Sequence, residues 1–212
     1  MDFFEYSPIC AYVLIRYFCN KKFSPKERFA YIVSDLRFIT QLWQSLKIAP
    51  PPFFGKKVSI YLLLIPKSPM DYFGKNTNAN EEGFWALALR NPSGESIYQA
   101  TFCFMPEKNL LIASIQGGGG RASAHREDEI RLLTKKCFGL RPSALLIEAL
   151  KILTKVLKCN QTLGISSKLQ IRSNRGLHKG YYADYDKTWQ EAYGELVCIG
   201  RHCYYQLHHK HK

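Results

Sequence analysis

Between residues 83 and 116 the chain carries three strand-length runs, 83–90, 97–105 and 110–116, split by Asn91-Pro92-Ser93-Gly94 and Pro106-Glu107-Lys108-Asn109. Apolar, β-branched and aromatic runs broken by turn-forming residues predict consecutive hairpins, and hence an antiparallel meander. A further β-branched run at 58–65 predicts a strand before it. A sheet must cover its apolar faces, and the rest of the chain supplies helices to do so.

Ser24-Pro25-Lys26-Glu27 joins a capping box to proline at the first helical position. Phe29, Ile32, Val33, Leu36, Ile39, Leu42, Trp43 and Leu46 then recur at helical spacing, which predicts one buried stripe ending before Pro50-Pro51-Pro52. A short basic helix is expected at 127–137. Pro142 opens a longer one, with Leu145, Leu146, Ala149, Leu150, Leu153, Val156 and Leu157 buried and Lys151, Lys155 and Lys158 solvated. A strand at 162–166, a basic loop at 168–180, a helix at 185–193 and a terminal strand at 196–207 complete the expectation of an α+β fold: a mixed, mostly antiparallel sheet flanked by helices. No linker interrupts this order, so 1–207 reads as one domain, followed by the polar tail 208–212.

The 30 Lys and Arg exceed the 17 Asp and Glu by thirteen charges. That excess attracts polyanions, whether nucleic acid, anionic lipid or a polyphosphate cofactor. Seven cysteines without a C-x-x-C pair suit free thiols in a reducing compartment, and the chain is read as cytoplasmic. The apolar run 9–19 is interrupted by Arg16 and is shorter than a transmembrane segment. No helix-turn-helix, zinc-finger or RNA-recognition motif is present, which disfavours sequence-specific nucleic-acid binding. Cys198, His202 and Cys203, taken as one strand, point to opposite faces, so no metal site is expected. Nucleophile-elbow, P-loop and H-E-x-x-H signatures are absent as well.

The segment Leu110-Leu111-Ile112-Ala113-Ser114-Ile115-Gln116-Gly117, then Leu133-Thr134-Lys135 and Gly139-Leu140-Arg141-Pro142, then Leu145-Leu146-Ile147-Glu148-Ala149-Leu150, resembles the bacterial VirK/YbjX family. Leu163-Gly164-Ile165-Ser166 and Ala183-Asp184-Tyr185-Asp186 with Trp189 extend the resemblance over nearly the whole chain. Arg131, Thr134 and Lys135 fall inside its motif region. The chain departs from the family where members carry histidine, at Asp35 and near Leu169 or Gln170, and it lacks the Gly-Gly that members have at 192–194. The resemblance implies a role in virulence, antimicrobial-peptide resistance or stress response, with no established reaction.

The element order is also similar to that of GNAT acyltransferases. That resemblance implies an acyl-CoA held by Gln116, Gly117, Gly118 and Gly119, by Arg121 and Arg141, and by the start of the 142–158 helix, whose unpaired amides favour an anion. About twenty residues separate the glycines from Pro142, and the glycine run reads equally as a surface connection. Tyr185 and Asp186 are the candidate catalytic residues, a phenol being able to protonate a leaving thiolate. Tyr185 and Trp189, four apart on a helix, read equally as packing, and Asp184 or Asp186 as a helix cap. The alternative is a nonenzymatic protein that binds nucleic acid or an anionic membrane through two basic clusters. One holds Arg121, Arg126, Arg131, Lys135, Lys136 and Arg141; the other holds Lys168, Arg172, Arg175, His178 and Lys179. Either cluster reads equally as a solvated face.

Overall fold

A computed structural model describes residues 13, 15–47, 59–61, 71–75, 82–90, 96–117, 124–173 and 184–208. Positions 9–12 and 14 of the run 9–19 fall outside these residues. So do Pro50-Pro51-Pro52, the 91–94 turn, Gly118, Gly119, Arg121, most of the basic loop and the end of the tail.

Helix α1 (Pro25–Leu46) starts at the expected capping box: Ser24 Oγ accepts from Glu27 N–H at 3.3 Å, and the Glu27 carboxylate accepts from Ser24 N–H at 2.7 Å. Four antiparallel pairings then link β1 (Ser59–Tyr61), β2 (Asp71–Lys75), β3 (Trp85–Arg90), β4 (Ser96–Met105) and β5 (Asn109–Gly117). Helices α2 (Ala124–Lys136) and α3 (Pro142–Val156) lead to β6 (Thr162–Ile165), which pairs with β5 in parallel. Helix α4 (Tyr185–Glu191), β7 (Gly194–Ile199) and β8 (His202–Leu207) close the chain, and the eight-stranded sheet runs β1-β2-β3-β4-β5-β6-β8-β7. The mixed, mostly antiparallel sheet with flanking helices is the expected α+β class. Among the described residues no helix is long and apolar enough to cross a membrane.

Several local expectations change. The terminal strand is a hairpin, because Gly200 and Arg201 turn the chain and Gly200 takes a left-handed φ of 59°. Strand β2 was not expected, since only Tyr72 and Phe73 mark its short run. On α1 the buried stripe is Arg28, Ile32, Asp35, Ile39 and Trp43, while Phe29 and Leu46 are exposed. On α3 the rotation brings Lys151 inward and leaves Val156 outside. Lys151 is fully buried because its ammonium donates to the Glu148 carboxylate at 2.7 Å and to the Ala192 carbonyl at 2.9 Å, and its stem covers apolar surface.

Each buried charge on α1 replaces missing backbone partners. Arg28 donates to the carbonyls of Ile15, Arg16 and Phe23 at 3.1, 2.7 and 3.1 Å, tying down the segment that enters the helix. Strand β3 begins at Trp85 opposite Phe102, so Phe104 lies beyond its end. Asp35 accepts there from Phe104 N–H at 2.6 Å and from Trp85 Nε1–H at 2.8 Å. Burial pushes its carboxyl up to about 7 against these two donors.

The hairpin also corrects the cysteine reading. Cys198 and Cys203 are direct cross-strand partners and form a disulfide, while Cys19, Cys103, Cys137 and Cys159 are free. The two positions face apart only on one uninterrupted strand over 196–207. The turn they close presents Arg201 and His202 to Glu27, and the hydrogen bond from Arg201 holds that carboxyl well below the usual range. A disulfide spanning five positions removes little chain entropy, so Cys198→Ser with Cys203→Ser is expected to cost ~2 kcal/mol in urea unfolding. A change of the slope rather than the midpoint would contradict this account.

Candidate buried carboxylate site at the β5–β6 divergence

Strand β5 pairs with β6 only from Leu110 to Ile112 and then continues without it to Gly117. Its pairing with β4 jumps between Ile112 and Ser114, which makes Ala113 the extra residue of a β-bulge. A bulge shifts the alternation of a strand and re-aims the residues after it. Here Ser114 comes opposite Thr101 and Gln116 opposite Gln99, so four polar side chains share one face. Sequence alternation alone would have given no reason to group them.

Glu82, fully buried, sits against this face. One of its carboxylate oxygens accepts from Ser114 Oγ at 3.1 Å and Gln116 Nε2 at 3.2 Å. The other accepts from Gln170 Nε2 at 2.9 Å and lies 3.5 Å from Arg172 Nε. With Ser114 donating to Glu82, Thr101 Oγ1 at 2.7 Å donates to Ser114, forming a short hydroxyl relay. Gln170 is held in turn by Arg172 N–H, which donates to its side-chain oxygen at 2.6 Å.

Gly83 sets the direction of Glu82. Its φ is +113°, and a Cβ there would stand 2.5 Å from the Phe102 carbonyl oxygen, so the chain passes this point only as glycine. The cluster reaches solvent through Gln116, exposed Gly117 and the Arg172 side chain, which is 40% exposed.

Tyr185 lies at the same divergence. Its buried hydroxyl accepts from Ile115 N–H at 3.2 Å and donates to Ile115 C=O at 3.3 Å, serving backbone groups that a longer β6 would otherwise engage. Asp186 accepts from Ser167 N–H at 2.8 Å, and Ser167 Oγ accepts from Asp186 N–H at 3.2 Å. Asp184 is the N-cap of α4, accepting from Lys187 N–H.

Among the residues expected to hold a cofactor, Gln116 belongs to the cluster and Gly117 pairs with Tyr98. Arg141, the exposed N-cap of α3, acts electrostatically on the Tyr98 phenol, although burial of that phenol outweighs it and raises its pKa. Helix α3 packs on β4, the strand that holds Tyr98 opposite Gly117, despite the intervening chain. Gly118, Gly119 and Arg121 lie outside the described residues.

Arg131 pairs with Asp128 at 3.9 Å, Thr134 Oγ1 donates to the Ile130 carbonyl, and Lys135 is exposed at the end of α2. Glu148 accepts from Lys151, and Asp186 from the Ser167 amide. Among the described residues no group of three His, Cys, Asp or Glu side chains is arranged to hold a metal ion.

Sequence reading missed Glu82, Thr101, Ser114 and Gln170. For Thr101 and Ser114 the available signal was isolated polar residues within the apolar runs 97–105 and 110–116; Glu82 and Gln170 lie in neither run.

An uncharacterized protein of Haemophilus influenzae is 35% identical over 180 residues, covering 84% of this chain and 59% of its own length. A Mannheimia haemolytica protein named "Membrane protein LapB" is 36% identical over 171 residues, covering 78% and 70%. Uncharacterized protein YbjX of Escherichia coli K12 is 29% identical over 125 residues, covering 56% and 36%. The chain thus spans about three fifths of the length of the first of these relatives. No solved structure matches. The family described as "Protein of unknown function (DUF535)" matches residues 1–212, and with YbjX and LapB among its relatives the chain belongs to this family, the VirK/YbjX group that its motifs resemble.

Proposed function

We propose that the protein is an acyltransferase with a GNAT-like sheet, moving an acyl group from acyl-CoA to an amine or hydroxyl acceptor. The observation that carries this reading is the parallel pair β5 with β6, the one such pair among the described residues, which separates after Ile112 and Gly164 beside a buried carboxylate. A strand edge that diverges in this way can bond the amides of an extended ligand arm where Tyr185 does not already engage it at Ile115. Gln116, Gly117 and Arg141, with Gly118, Gly119 and Arg121 in the connection that follows, are the groups we assign to the cofactor.

Glu82 is assigned as the base that takes the proton of the acceptor, which then attacks the thioester carbonyl. As the carbon–sulfur bond breaks, Tyr185 is assigned to protonate the departing CoA thiolate, and Asp186 to position α4 through Ser167. Acyl-CoA is a cytoplasmic metabolite, so this reading sets the chain in the bacterial cytoplasm, serving the virulence or stress response that the family resemblance implies.

Calorimetric titration with acetyl-CoA and longer acyl-CoAs, at low and moderate salt and beside a DNA duplex, tests the proposal. Saturable binding that survives added salt is expected. Glu82→Gln should leave affinity near that of the parent while slowing acyl transfer to a panel of amines ~100-fold, read as CoA release by mass spectrometry. Binding to DNA alone, collapsing with salt, would overturn the assignment.

A further inference from the structure

The turn that joins α2 to α3 carries an aromatic side chain where a folded chain gains nothing from it. Phe138 is 102% exposed and has a left-handed φ of 55°, followed by Gly139 at φ 87°. The position just past a helix favours glycine, because a Cβ there meets the backbone. The turn is nevertheless closed: Cys137 N–H donates to the Leu133 carbonyl at 2.8 Å and Gly139 N–H to the Thr134 carbonyl at 2.8 Å. Phe138 is therefore held outward on a fixed turn, paying backbone strain without packing.

Two aliphatic side chains on either side of it in sequence are exposed as well, Leu132 at 54% and Leu140 at 37%. Lys135, Lys136 and Arg141 are exposed around them, and no acidic residue occurs from Ile130 to Ile147. Glu129, the nearest acidic position on α2, stands about 9 Å along the helix axis from Lys135 and about 10 Å from Lys136, beyond the screening distance of about 8 Å at physiological salt. Isolated exposed apolar residues are ordinary. An aromatic tip with an aliphatic base and an all-cationic collar has the chemistry of an interfacial anchor.

We infer that this corner docks the protein on an anionic lipid bilayer, with Phe138 entering the headgroup boundary and Lys135, Lys136 and Arg141 meeting lipid phosphates. The charge of the collar selects an anionic surface over a zwitterionic one. The inference does not depend on acyl transfer.

Sedimentation of the full chain with vesicles of equal parts phosphatidylglycerol and phosphatidylcholine, and with phosphatidylcholine alone, tests it. Wild-type protein should partition onto the anionic vesicles only. Phe138→Gly, which relieves the turn and should keep the thermal midpoint at or above that of the parent, should lower the partition coefficient about tenfold or more. Lys135→Glu with Lys136→Glu should lower it at least as much. Three results would each overturn the inference: no binding to anionic vesicles, binding that Phe138→Gly leaves unchanged, or a wild-type oligomer that Phe138→Gly dissociates.

Discussion

Trp189→Ala is expected to lower the unfolding free energy by ~3–5 kcal/mol, measured from urea midpoints at constant slope. Against a typical total of about 5–15 kcal/mol, that is enough to leave the variant partly unfolded at body temperature. The indole of Trp189 is fully buried, and its Nε1–H donates to the Ile165 carbonyl at 2.6 Å at the end of β6. Its ring lies over Gly164, where a Cβ would come within 2.6 Å of two indole carbons. Gly164→Val should therefore also destabilise, by about 1–3 kcal/mol or more, through overpacking rather than loss. The two effects share one volume. Placed in the Trp189→Leu background, Gly164→Ala should cost less than it does alone. Additive costs would mean that the ring and the glycine are not the mutual fit described.

Asp35→Ala should cost ~1–3 kcal/mol for each of the two donors it orphans, the Phe104 amide and the Trp85 indole. The same carboxyl predicts an unusual pH dependence. Its folded pKa, about 7, lies above the unfolded value of about 3.9, so the native state holds a proton that the unfolded chain releases. Its contribution is complete below the unfolded value and declines as pH rises through 7, by about 4 kcal/mol over the window. Glu27, shifted the opposite way, is already charged in the native state below the unfolded glutamate value of about 4.3, so its contribution is complete above that value and is lost only as pH falls. Between about pH 5 and 7 the Asp35 trend should dominate. Urea midpoints across that range should fall for the parent and stay level in Asp35→Asn; a parallel fall in both would assign the trend to other groups.

The legible parts of the fold were those written in local chemistry. Ser24, Pro25 and Glu27 fix the start of α1 wherever it is placed, and the turn formers at 106–109 fix a hairpin. Arg28, Asp35 and Lys151 were illegible as buried residues because each is paid for by groups distant in sequence: the carbonyls of Ile15 and Arg16, the end of β3, and the carbonyl of Ala192. The candidate site was hidden for a similar reason. Gln116 was visible beside the glycine run, but Glu82 reaches it from 34 positions away.

The bulge at Ala113 makes the site depend on residue count as well as residue type. A strand has a two-residue phase, and Ala113 resets it in the manner of a frameshift. A strand of the same length that paired without the bulge would send Ser114 and Gln116 to the opposite face, out of reach of Glu82, whereas deleting Ala113 would keep Ser114 opposite Thr101. A relative can therefore share those letters without inheriting the site, and its spacing across this strand carries as much information as its identity.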